Sequence, residues 1–134
     1  PLAPVIEWDQ VSAWCHSKLT PQDLSDPRMI AFTPSDLKSV GNRCFALIIP
    51  TGDESMRPDF NPGSAAICDP DLDPRHLSMV LVSLEAGQFP VIRQLIEYGR
   101  TRLLDTLNSR YPSSEMTKST VIHATVRASV RAFD

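Results

Sequence analysis

The sequence predicts a mostly β protein, a small set of curved antiparallel sheets or a partial barrel with little helix, and three observations carry this. From Ile122 onward alternate positions are apolar (Ile122, Ala124, Val126, Ala128, Val130, Ala132), with His123, Thr125, Arg127, Ser129, Arg131 and Phe133 interleaved. That is a period of two, the repeat of a strand with one dry and one wetter face. Short apolar runs elsewhere are cut off by proline, glycine or Asp-Pro, and no segment carries a long 3.6-residue amphipathic repeat.

In chain order, residues 1–14 read as an extended arm carrying Trp8 and Trp14, distinct from a folded domain over residues 15–134. Residues 15–42 are polar and turn-rich, and Thr33-Pro34-Ser35-Asp36-Leu37 is suited to cap a short helical turn. Cys44–Ile49 is a buried strand ended by Pro50 and Gly52; Ala65–Cys68 is a second, closed by Asp69-Pro70. Met79–Leu84 is a third, Phe89–Tyr98 a fourth and Arg102–Leu107 a fifth, with Gly99-Arg100 as a hairpin turn between the last two. The alternating segment 121–133 completes the set, and its small-residue face suggests an edge strand able to pair with a second copy.

The hydrophobic fraction of 42% in 134 residues is enough for one packed domain and excludes wholesale disorder. A net charge of −3 argues against this chain gripping nucleic acid by itself, since phosphate binding rests on clustered positive charge. The odd, widely spaced Cys15, Cys44 and Cys68 make neither a disulfide framework nor a zinc site and read as small buried hydrophobes in a reducing compartment. Asp69, Asp71 and Asp73 lie between prolines without a glycine-centred loop, and are expected in a solvated turn rather than around a cation. His16, His76 and His123 are scattered, so no metal or cofactor is expected. No basic-then-apolar leader and no membrane-length apolar run is present, and the start at Pro1-Leu2-Ala3-Pro4 without an initiating Met reads as a linker preceded by another segment.

Four segments, in order, carry a resemblance. Gly52-Asp53-Glu54-Ser55-Met56-Arg57-Pro58 follows an apolar strand and leads through Gly63 to a short strand ending Asp69-Pro70. Then come the strand at 79–84, the run Val91-Ile92-Arg93-Gln94-Leu95, and Leu107-Asn108-Ser109-Arg110-Tyr111-Pro112. Over residues 44–133 this order and spacing are similar to the C-terminal domain of LexA-like, self-cleaving phage repressors, whose fold is signal-peptidase-like. The arm Ile6–Trp14 looks like the cleavage region of such repressors.

The resemblance implies a Ser-Lys dyad that cuts the protein's own hinge. Ser55 matches the nucleophile, and the base position holds Arg93. A buried lysine can lose its proton and serve as a base; a guanidinium stays protonated. The lysines Lys18, Lys38 and Lys118 all lie elsewhere. The scissile position reads Val11-Ser12 where the family has Ala-Gly, replacing small residues with a stiff β-branched one. Both departures point to lost autocleavage, with Ser55 left as a turn residue. A substitute pairing of Ser55 with His76 or His123 is a remote alternative.

As implied by the resemblance, the domain is an oligomerisation and regulatory module of a phage repressor that maintains lysogeny in a bacterial cytoplasm. It would bind itself as a dimer or higher oligomer, with Ala124, Val126, Ala128 and Val130 as the expected contact. Operator DNA would be held only through an N-terminal helix-turn-helix domain, and release would come from an antirepressor protein. The alternatives are an active RecA-stimulated serine autopeptidase cutting at Val11-Ser12, and, more distantly, a signal-peptidase relative acting on other proteins.

Overall fold

The computed structural model describes residues 1–33 and 42–131. Among these, two antiparallel sheets and one short α-helix are built. A two-stranded sheet joins β1 (Leu2–Pro4) to β2 (Met29–Ala31). The large sheet comprises β3 (Phe45–Ile48), β4 (Ala65–Asp69), β5 (Met79–Ser83), β6 (Val91–Tyr98), β7 (Thr101–Asp105), β8 (Ser114–Glu115) and β9 (Val121–Val130). Its strand order is β3-β4-β9-β5-β6-β7-β8, open rather than closed into a barrel. The strand runs expected from the sequence all form, within a residue or two at their ends. Gly99, at φ +60°, makes the β6–β7 turn, where a side chain would be strained. The expected cap at 33–37 lies largely outside the described residues, as do Ala132 and Phe133 at the end of the alternating run.

Strand β9 is not an edge. It hydrogen-bonds to β4 on one side and to β5 on the other, so the last strand of the chain returns to the middle of the sheet. This removes the reason for placing self-association on an unpaired edge there. Ala124 and Val126 are instead core residues, and Ala128 and Val130 pack partly buried against a second cluster. The alternation itself is real but interrupted twice. Ile67 faces Ala128 and Cys68 faces Val126, leaving Arg127 as an extra residue; Leu81 faces Ala124 and Val82 faces Ile122, leaving His123. Such β-bulges bend a strand and re-aim its side chains. Hence the one apolar series of β9 is shared among three clusters rather than lining a single face.

The main core lies between the large sheet and the N-terminal segment. Phe45, Leu47, Cys68, Leu81 and Ile92 meet Ile6, Val11 and Trp14. On the opposite face Ala46, Ala65 and Ile67 are covered by Ala3, Ile30 and Phe32 of the small sheet. Val80, Val82, Leu95 and Leu104 form a third cluster.

The arm over residues 1–14 is not extended throughout, which corrects the expectation. After β1, the backbone N–H of Glu7 donates to Gln10 Oε1 at 2.8 Å and a 3-10 turn forms at Trp8–Gln10. Helix α1 (Val11–Cys15) follows. Five residues are too few for a helix stable by itself; Val11 and Trp14, one turn apart, hold it by being wholly buried. Trp14 Nε1 donates to the Arg43 carbonyl at 2.8 Å, and the Arg43 guanidinium lies 4.3 Å from the indole centroid. Trp8 Nε1 donates to the Ile48 carbonyl at 2.9 Å.

Candidate active-site cleft

Ser55 sits in the turn after β3, 2% exposed. Met56 and Phe60 anchor this turn by inserting into the main core. From the other side the segment after β7 clamps it. The Ser55 carbonyl accepts hydrogen bonds from the Leu107 and Asn108 N–H groups, both at 3.1 Å, and Asn108 Nδ2 donates to the Glu54 carbonyl at 3.1 Å. Thr106 Oγ1 donates to the carbonyls of Asn108 and Tyr111, which shapes the clamping loop. The Leu107–Pro112 segment therefore has a structural job: it holds the serine turn in place.

The strand β6 delivers Arg93, 9% exposed, to the same point. Its Nη1 donates to Ser55 Oγ at 3.2 Å and to the Ile92 carbonyl at 2.8 Å. Ser55 Oγ in turn donates to Asp53 Oδ1 at 2.6 Å, and the same oxygen accepts the Ser55 N–H at 3.0 Å. The structure brings Ser55 and Arg93 together and adds Asp53, which the sequence reasoning passed over. The signal for it was present: an Asp two residues before a turn residue closes an Asx-turn onto that residue's N–H.

The chemistry of this trio follows from its charges. Serine needs a base to take its proton. Arg93 cannot be that base, and its N–H occupies a lone pair of Oγ. Burial pulls the Arg93 guanidinium below its ordinary value, while the Asp53 carboxylate and Tyr111 oppose this. Even lowered, it remains a cation at physiological pH. Asp53 Oδ1 accepts the serine hydroxyl's hydrogen bond, which directs that hydroxyl toward the carboxylate. The Ser55 N–H, of the kind that stabilises an oxyanion in serine hydrolases, is already committed to Asp53. A cleft of about 410 Å³ opens here, lined by Pro50, Gly52, Asp53, Ser55, Val91, Arg93 and Tyr111.

The Val11-Ser12 bond is elsewhere. It opens α1, with Val11 wholly buried and the Ser12 carbonyl accepting the His16 N–H at 3.1 Å. Ser12 borders a second cavity of about 330 Å³ with Trp8, His16, Ser83, Phe89 and His123. That cavity shares no lining residue with the Ser55 cleft.

The histidines are not partners of Ser55. His123 Nε2 lies 2.8 Å from Ser83 Oγ, and its Nδ1 is buried without a hydrogen-bond partner. Because Ser83 Oγ donates to the Gln88 carbonyl at 2.7 Å, the pair is satisfied when His123 carries its proton on Nε2. His76 Nδ1 accepts the Glu97 N–H at 3.0 Å. Asp69 is not in a solvated turn: it is 1% exposed and takes Arg127 Nε at 2.8 Å. Among the described residues no group of three or more His, Cys, Asp or Glu side chains gathers in a way that holds a metal. No described helix is long and apolar enough to cross a membrane.

Residues 4–127 match the family model described as Peptidase S24-like. No curated protein matches the chain.

Proposed function

Because the chain belongs to the Peptidase S24-like family, we propose that it is the assembly and regulatory domain of a phage or prophage transcriptional repressor whose autocleavage is lost. The family takes in LexA-type and phage repressors. One observation carries the loss: Ser55 Oγ is held between the Arg93 guanidinium and the Asp53 carboxylate, where a Ser-Lys peptidase needs a neutral amine. The burial of Val11 inside α1 adds to it, since a peptide in a packed helical turn is not presented for attack.

In this reading the domain joins two or more repressor chains, so that a helix-turn-helix domain on each reaches its half-site as one intramolecular event. The net charge of −3 agrees with leaving DNA contact to such a separate domain. Since the repressor does not cut itself, release falls to an antirepressor protein that binds this domain or its junction with the DNA-binding part.

The test is in a lysogen. On induction the repressor is expected to leave its operator at full length, in company with a second protein. Loss of operator occupancy that tracks the appearance of a fragment starting at Ser12 contradicts the proposal.

A further inference from the structure

We infer that the cleft beside Ser55 is a carboxylate-binding pocket, in which Arg93 takes a peptide carboxylate, at a chain terminus or on an acidic side chain, from a protein partner. This rests on the reading of the cleft as non-cleaving and names the chemistry of the partner it would receive.

The argument starts from the unused donors of a buried cation. A guanidinium has five N–H groups on three nitrogens. Both hydrogen bonds that Arg93 makes to described residues leave from Nη1. Nε and Nη2 have no such partner. They are not sealed in the protein either, because among the described residues His123 Nδ1 is the buried side-chain nitrogen or oxygen without a partner. Three N–H groups, one on Nε and two on Nη2, are therefore left without a protein acceptor on a residue that lines the cleft. That is the arrangement a carboxylate satisfies with two parallel hydrogen bonds.

The walls fit an organic acid rather than a hydrated ion. Pro50, Val91 and Tyr111 give an apolar rim, and a charge pair formed against such walls is screened less than in open water. The charge balance selects among anions. Asp53 borders the same cleft but is turned to Ser55, with one oxygen engaged twice. Asp53 already offsets part of the Arg93 charge, so a monoanionic carboxylate adds less repulsion than a dianionic phosphate, which is disfavoured. Burial also lowers the affinity of Arg93 for its own proton, so a bound anion restores what desolvation took away.

The experiment uses the full repressor chain and defined probes. These are N-acetylated Ala-Ala-Val-Ala with a free C-terminus, its C-terminal amide, the amide with Asp in place of Val, and inorganic phosphate. Each is titrated by calorimetry. At least one carboxylate-bearing peptide is expected to bind about tenfold tighter than the neutral amide, the factor expected for a charge-assisted pair. Whether the terminus or the Asp peptide wins tells which carboxylate the pocket takes. Arg93→Gln is expected to abolish the difference, and Arg93→Lys to keep only part of it, which separates loss of the donor from loss of the fold. Asp53→Asn keeps an acceptor for Ser55, removes the rival charge and is expected to widen the difference several-fold. Equal or absent binding of all three peptides, a preference that survives Arg93→Gln, or tighter binding of phosphate overturns the inference. If the peptides fail while the repressor still does not cut itself, only the pocket assignment falls. Cleavage at Val11-Ser12 instead removes the functional reading beneath it.

Discussion

Arg93 Nη1 donates to Ser55 Oγ at 3.2 Å, and Asp53 Oδ1 receives the proton of the same hydroxyl at 2.6 Å. The serine hydroxyl thus bridges two charges of opposite sign. A lysine at 93 restores a group able to give up its proton, but leaves the Val11-Ser12 bond packed in α1. Arg93→Lys alone is expected to yield no cleavage product. Arg93→Lys combined with Val11→Ala and Ser12→Gly is expected to yield one. Deleting two buried methyl groups and adding a helix glycine loosens α1 by about 3 kcal/mol together. Gel analysis over time reads both. Cleavage by the single variant shows that the packed helix is no obstacle.

The Asp69–Arg127 pair joins β4 to the bulge of β9, with side chains 1% and 7% exposed. Asp69→Ala removes the buried carboxylate that Arg127 Nε meets at 2.8 Å, and is expected to cost about 3 kcal/mol. That is a large share of the roughly 5–15 kcal/mol that holds a domain folded. Denaturant titration measures it. A cost under about 1 kcal/mol, typical of an exposed pair, contradicts the burial of this one.

Burial lowers the His123 imidazole below its ordinary value, and the neighbouring His16, its ring centroid 6.0 Å away, lowers it further. The unfolded chain therefore takes up the proton before the native one does. Stability is full above the ordinary histidine value of about 6.5 and falls as pH drops through it toward the lower native value. Stability measured between neutral and mildly acid pH is expected to decline. His16→Ala should shallow the decline, and a profile unchanged by it removes His16 from the cause.

Burial pushes the Cys15 thiol up to about 12, opposed by Arg43, and the Cys44 thiol up to about 11. Cys68, wholly buried, is raised as well. Since the thiolate is the reactive form, none of the three is expected to react with a disulfide reagent at mildly alkaline pH until the protein unfolds. Fast labelling of one thiol in the native protein singles out a local opening.

The strands were legible because a period of two and Pro/Gly punctuation are local properties. The pairing of Ser55 with Arg93 was legible from ordered motifs across 38 residues, read from the family resemblance. The place of β9 was not legible, since small apolar residues suit an interior strand as well as an edge, and sequence does not say which strands flank it. The two bulges were hidden for the same reason: His123 and Arg127 read as wet-face residues, while the register puts them at kinks. The arm was read as extended because no local pattern shows that it folds back, whereas both indoles are tied to carbonyls of the β3 region. Asp69 was misread because its partner lies 58 residues away.

The most direct test is a time course of the purified full-length protein, alone at alkaline pH and with activated RecA, followed by intact mass. The account predicts that the full-length mass persists under both conditions and is unchanged by Ser55→Ala. A fragment beginning at Ser12, formed by the natural protein and abolished by Ser55→Ala, contradicts it.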